Sequence, residues 1–210
     1  VTNQNDKTLS LTDKKLSETP FLSSGIGGIL HIASSYSRRF DEVILQLPKG
    51  RALKGINVSA NRGQTSITNA SLENATLNTN SYILRIKGSR IKNSKLTTPN
   101  IVNIFDTDLT DSQLESTEHH FRAENIKVYG KVELSSKNAL SIMLTQKESQ
   151  EINLDLSSHH GPIYQLSRDE SQRHPNELSN PYKTEKTDAK GQLIAKADDY
   201  ISLETTANRP

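Results

Sequence analysis

The chain has 210 residues, 32% hydrophobic and 5% aromatic, with 26 Lys and Arg against 24 Asp and Glu for a formal charge of +2. That is too few apolar residues for one thick globular core and too small a charge for a disordered chain. A thin, elongated fold in which each segment buries a narrow stripe remains. The absence of cysteine excludes disulfides, thiolate metal sites and a cysteine nucleophile, and the interspersed charges lack the basic stripe of a nucleic-acid binder.

Residues 1–18 are polar and read as a flexible lead. The chain opens on Val1 without methionine and holds no apolar run long enough for a membrane helix. We expect the soluble part of a secreted or membrane-anchored protein, with any tether outside it. Ile26, Ile29, Ile32, Phe40, Val43, Leu45 and Leu47 supply two strands before the turn Pro48-Lys49-Gly50. Gly25-Ile26-Gly27-Gly28 lacks the lysine and spacing of a phosphate-binding loop.

From about residue 50 to 145 the sequence repeats. Leu53-Lys54-Gly55-Ile56-Asn57-Val58 is followed by Leu72-Glu73-Asn74-Ala75-Thr76-Leu77, Ile91-Lys92-Asn93-Ser94-Lys95-Leu96 and Leu109-Thr110-Asp111-Ser112-Gln113-Leu114, at intervals of 19, 19 and 18. Each unit has a second alternating segment: Thr65-Ser66-Ile67, Leu84-Arg85-Ile86, Val102-Asn103-Ile104, then Phe121 with Ala123. Val128 leads a less regular copy through Val132 and Leu134 to Leu140 and Ile142. Every second residue is apolar, the signature of a half-buried strand. Such a unit is too short for a βαβ crossover.

The pattern predicts an all-β parallel solenoid with coils of about 19 residues, stacking Leu53, Leu72, Ile91, Leu109 and Val128 in one ladder about 4.8 Å apart. The small residues Ala75, Ser94 and Ser112 mark a place where the chain bends inward. The alternative is an antiparallel β-sandwich, but its hairpins favour glycine-bearing turns, and between residues 64 and 129 the only glycine is Gly88.

The repeat breaks near Gln146, and Ile152-Asn153-Leu154-Asp155-Leu156 resumes it briefly. Residues 157–190 read as an exposed, loop-rich insertion. Gln192-Leu193-Ile194 and Tyr200-Ile201-Ser202-Leu203-Glu204 are expected to close the open end of the stack. Residues 19–206 thus form a single solenoid domain, and 207–210 a tail.

Phe40-Asp41-Glu42-Val43 leading into Leu47-Pro48-Lys49-Gly50, the iterated Leu-x-x-small-x-Leu coils and the ending Ile201-Ser202-Leu203-Glu204-Thr205-Thr206 resemble an adhesin-type β-solenoid family of bacterial envelope proteins, related to head domains named after a Gly-Ile-Asn motif. Where that family's coils carry Gly-Asp or Ser-Gly turns, this chain has Asn80-Ser81, Pro99-Asn100 and His119-His120. The resemblance implies a cell-surface or membrane-tethered location and a binding or envelope-stress role.

Three side-chain groups invite chemistry. Arg85, Lys87, Arg90, Lys92 and Lys95 form a basic cluster around one coil, suited to an anionic wall polymer or lipid headgroup. His119, His120, His159 and His160 lie 40 residues, about two coils, apart and could share an edge roughly 10 Å apart as a divalent-metal site or pH-sensitive patch. Asp106 and Asp108 point the same way if both are in a strand, with Asp111 and Glu115 nearby, an arrangement comparable with glycoside hydrolases. There is no Gly-x-Ser-x-Gly nucleophile elbow. No cofactor is expected. The sequence therefore favours a non-enzymatic, extracytoplasmic binding module whose partner is an envelope protein or glycan. A carbohydrate-active enzyme and an envelope-stress regulator are the alternatives.

Overall fold

A computed structural model describes residues 65–166 and 175–206 in full, together with the backbone of Gln64 and of the strands Thr2–Asn3, Lys7–Thr12, Phe21–Ser24, Ile29–Ala33, Glu42–Leu45 and Leu53–Ser59. The repeat folds into coils with three faces. Face A carries Gln64–Thr68, Ile83–Lys87, Ile101–Phe105, Phe121–Glu124 and Leu140–Thr145. Face B carries 71–73, Arg90–Lys92, Asp108–Thr110 and 127–129, and face C carries 76–79, Lys95–Thr98, Gln113–Ser116 and 133–136. Each strand pairs in parallel with its equivalent one repeat away.

The ladder predicted from the period is formed. Leu53 pairs with Leu72, Leu72 with Ile91, Ile91 with Leu109, and Leu109 with Val128. Face C stacks Leu77, Leu96, Leu114 and Leu134 in the same way. Face A stacks Leu84, Val102, Phe121, Leu140 and Ile201. These side chains from Leu72 onward are almost wholly withdrawn from solvent, and burying each stabilises the coil by about 1.5–3 kcal/mol. Antiparallel pairs occur at the periphery, as where Phe21–Ser24 meets Ile29–Ala33. The sandwich alternative is thereby set aside.

The N-terminal expectation is corrected in part. Within residues 1–18, read as a flexible lead, Thr2–Asn3 pairs with Lys7–Thr12, and Lys7–Thr12 pairs with Glu42–Leu45. Ile29–Ala33 joins the main stack in parallel beside Leu53–Ser59, so stacking begins before residue 50.

The C-terminal third departs further from the sequence reading. After Leu140–Thr145 comes a short helix, Gln146–Glu151, opened by a capping box in which Thr145 Oγ1 accepts from the Glu148 amide and the Glu148 carboxylate accepts from the Thr145 amide. Six helical residues rise about 9 Å, close to two strand spacings. That length suffices to carry the chain past one layer.

Ile152–Ser158 and Ile163–Leu166 therefore lie one layer further out, and the skipped layer is filled by Gly191–Ala197 and Ile201–Thr206. The last segments of the sequence are intercalated and do not close the end. The closing role falls to Asn176–Leu178 and Tyr182–Lys183, which pair antiparallel with Ile163–Leu166 and Ile152–Ser158. Residues 157–190 thus contain strands where an exposed loop was expected; 167–174 and the tail 207–210 lie outside the described residues. Lys186 ties this region down by donating to the carbonyls of Ser149 and, at 2.9 Å, Ile152, and burial holds its ammonium below the usual lysine range.

Leu72→Asp and Ile91→Asp each place a charge inside the ladder and are expected to abolish the cooperative urea transition. Ile91→Ala should lower stability by about 2–5 kcal/mol, while Thr76→Asp, on the outward side of the Leu72 coil, stays within about 0.5 kcal/mol. Equal tolerance of all these changes would break the register.

Candidate functional site

Turning a coil by a sharp angle takes backbone out of the sheet, and two of the three corners solve this in one way. Asn69, Gly88, Asp106 and Asn125 stand at the A–B corner, and Asn74, Asn93, Asp111 and Gly130 at the B–C corner; all have positive φ, between 45° and 61°. Asn, Asp and Gly adopt this left-handed geometry most readily. In the middle coils the residue after the turn is Ser89 or Thr107 at the A–B corner and Ser94 or Ser112 at the B–C corner, and its hydroxyl bridges the backbone. Ser94 Oγ donates to the Lys92 carbonyl at 2.7 Å and accepts from the Ala75 amide at 3.1 Å. Ser112 repeats the pattern, donating to the Thr110 carbonyl at 2.7 Å and accepting from the Ser94 amide at 3.2 Å. Ser89 and Thr107 do likewise at the A–B corner.

On the outside of the B–C corner this regularity leaves a shallow groove of about 550 Å³. One wall is the column Asn74, Asn93 and Asp111; the other is the paired column Thr76, Lys95, Gln113 and Glu133, with Lys131 at one end. Asp111 Oδ1 accepts from the Lys131 amide at 2.9 Å, and Lys131 Nζ lies 2.7 Å from Glu133 Oε1. The hydrogen bond from Lys131 holds the Glu133 carboxyl below the usual carboxylate value against an opposing desolvation effect, with the Lys131 and Lys196 charges adding to it. The groove offers amide, hydroxyl, ammonium and carboxylate groups at a repeat of about 4.8 Å. No sequence motif singles out most of these positions as a site. Their signal was present as the Asn or Asp just before each small residue.

The basic cluster is distributed around the coil. Arg85 and Lys87 stand on face A, where the Arg85 guanidinium lies 5.3 Å from the Phe105 ring centroid. Arg90 and Lys92 stand on face B, 3.8 Å from Asp108 and 2.9 Å from Glu73. Lys95 alone of the five lines the groove. The acidic group is also dispersed. Asp106 turns the A–B corner at positive φ and accepts from Asn125 Nδ2 at 3.1 Å, whereas Asp108 sits in the following strand. The expected same-side pair of strand carboxylates does not form.

The four histidines share the third corner, between faces C and A. The intercalated layer separates them further than the sequence spacing suggests. His160 donates its amide to the Asp198 carbonyl, Asp199 to Asn138, and Phe121, beside His120, to Ala139. The two pairs are three strand spacings apart, roughly 14 Å rather than 10 Å. His159 and His160 have ring centroids 4.0 Å apart. Among the described residues no cluster of three or more His, Cys, Asp or Glu is placed to hold a metal ion, and no helix is long and apolar enough to cross a membrane.

The family model described as Toastrack DUF4097 matches residues 1–204. No curated protein and no solved structure matches the chain.

Because its carboxyl is depressed, the Glu133–Lys131 contact contributes above the usual carboxylate value, and the contribution is lost as pH falls through the folded value. Lys131→Met should move the Glu133 carboxyl titration, followed by carbon-detected NMR, upward toward that usual value. An unmoved midpoint would show that Lys131 does not set it.

Proposed function

The chain belongs to the Toastrack DUF4097 family, and from that premise we propose that it is a non-enzymatic, adhesin-like binding module acting outside the cytoplasm. Its partner is an extended envelope glycan held along the B–C groove. The observation that carries this reading is the groove itself. It crosses successive coils and presents equivalent polar positions, Asn74, Asn93 and Asp111 beside Thr76, Lys95, Gln113 and Glu133, at one fixed repeat. A hydroxyl-rich polymer needs many modest hydrogen bonds delivered in a row, and a rigid in-register lattice supplies them with little ordering cost on the protein side. Lys95 and Lys131 add affinity for acidic groups on such a polymer. Arg85, Lys87, Arg90 and Lys92 flank the groove coil on the other faces and act as a general electrostatic surround. The four histidines belong to a different edge.

The test is co-sedimentation of the chain with isolated envelope polysaccharide, alongside a reducing-end release assay. Lys95→Glu combined with Lys131→Glu should lower the bound fraction at least about fivefold while preserving the thermal transition, and no sugar should be released. Release of sugar that disappears in Asp106→Asn or Asp108→Asn would replace this reading with that of a carbohydrate-active enzyme. Undiminished binding by the double variant would remove the groove from it.

A further inference from the structure

The corner between faces C and A differs from the other two, because it gathers rings. His119, His120, His159, His160, Tyr82 and Tyr200 all stand there, and Tyr82 and Tyr200 are the most exposed large hydrophobic residues among those described, at 58% and 43%. At its outer end the layers bring residues 158–164 over 197–202. His159 and His160 donate their amides to the carbonyls of Ala197 and Asp198 at 2.9 and 2.7 Å, and the Ile201 amide donates to the Pro162 carbonyl at 3.2 Å. The Tyr164 and Tyr200 rings come to 6.4 Å between centroids with a 59° tilt, and the His159 and His160 rings to 4.0 Å with a 46° tilt. Asp198 and Asp199 immediately precede Tyr200, and their carbonyls accept from the His160 amide and Ser158 Oγ.

This turn is held with unusual firmness for a surface feature. Asn180, from the closing segment, donates through Nδ2 to the carbonyls of Ser158 at 2.7 Å and Gly161 at 3.2 Å, and accepts from the Ser158 amide at 3.1 Å. Ser158 Oγ donates to the Asp199 carbonyl at 2.7 Å and accepts from the Gly161 amide at 3.3 Å. A Cβ on Gly161 would fall 2.0 Å from the Asp199 carbonyl oxygen, so only glycine allows the two layers to approach this closely. The clamp fixes the backbone beneath three exposed rings, His159, His160 and Tyr200, with half-buried Tyr164 beside Tyr200. Ordering exposed rings in advance favours a ligand that stacks on them.

We infer that this outer end of the C–A corner is a second binding site, for a neutral oligosaccharide. A pyranose ring has an apolar face of C–H groups, which stacks on a tyrosine, and an equatorial rim of hydroxyls, which needs donors and acceptors close by. Tyr200 supplies the stacking face and Tyr164 a tilted wall. The imidazoles of His159 and His160 and the carboxylates of Asp198 and Asp199 supply the rim. A nucleic-acid base would stack equally well, but the two carboxylates disfavour the phosphates that accompany it. Asn180 is a positioning residue; it touches the turn and not the sugar.

The inference extends the reading of the chain as a glycan-binding module but uses another surface, so the two fail independently. Isothermal titration of the full chain with maltohexaose, cellohexaose and chitohexaose is expected to show saturable binding of at least one. Tyr200→Ala should weaken it about tenfold and Tyr200→Phe, which keeps the stacking face, should restore it. Asn180→Ala should weaken binding with Tyr200 still present, and Tyr129→Ala, which removes an exposed ring on face B, should leave it unchanged. Circular dichroism melts identify any variant that has lost its fold. Absence of heat with all three hexasaccharides, equal affinity in Tyr200→Ala, or binding of oligouridylate with the sugars silent would each overturn the proposal.

Discussion

The structure depends on turning a chain through sharp corners without orphaning its backbone. A strand interior satisfies its amides and carbonyls through the neighbouring coils, but a corner interrupts that ladder, and an unsatisfied buried amide costs about 1–3 kcal/mol. Here a left-handed residue makes the turn, and in the middle coils the next residue, Ser89, Ser94, Thr107 or Ser112, bridges the gap with its hydroxyl. Ser94 and Ser112 do this in successive coils at the B–C corner, each serving the coil before it. The bonds run from coil to coil, so each corner locks the register of its neighbour. In-register aliphatic ladders on all three faces follow from that locking.

The same register creates the surfaces available for binding. Because equivalent residues stack, any polar residue at a fixed place in the repeat becomes a column, and two columns beside a corner become a groove. The B–C groove arises in this way from Asn74, Asn93 and Asp111 facing Thr76, Lys95, Gln113 and Glu133. Charges placed away from that column are spread around the coil, which is why five basic residues close in sequence end on three faces. The C–A corner has longer and more varied turns, and its rings gather where layers from distant parts of the sequence meet.

The intercalated layer is the least regular feature of the topology. The helix Gln146–Glu151 leaves a layer open beside Lys127–Ser136 that only the final segments fill, Gly130 pairing with Gly191 and Ser136 with Ala197. Lys190 contacts Glu151 at 2.9 Å, and the hydrogen bond it donates lowers the Glu151 carboxyl from its usual value. Together with Lys186, this ion pair fastens the returning chain to the helix before it enters the gap. The outer layer and its antiparallel strands then cover the stack.

The sequence by itself determined the period, the inward-facing residues and the vertical ladder from Leu53 to Val128, because alternation and repeat length are local properties that each coil states anew. It also marked the B–C corner, since the small residue at Ala75, Ser94 and Ser112 stands where a buried bend has no room for more. Only the tertiary structure decided the order of the layers after Gln146, because that order depends on which distant strand occupies an open edge, and the aliphatic patterns of Ile152–Ser158 and Gly191–Ala197 suit either place. It likewise decided the distance between the histidine pairs, which the inserted layer lengthens, and the separation of Asp106 from Asp108, which a positive φ at Asp106 places on opposite sides of a turn. Local pattern fixes which side of a strand is buried; long-range pairing fixes what lies above it.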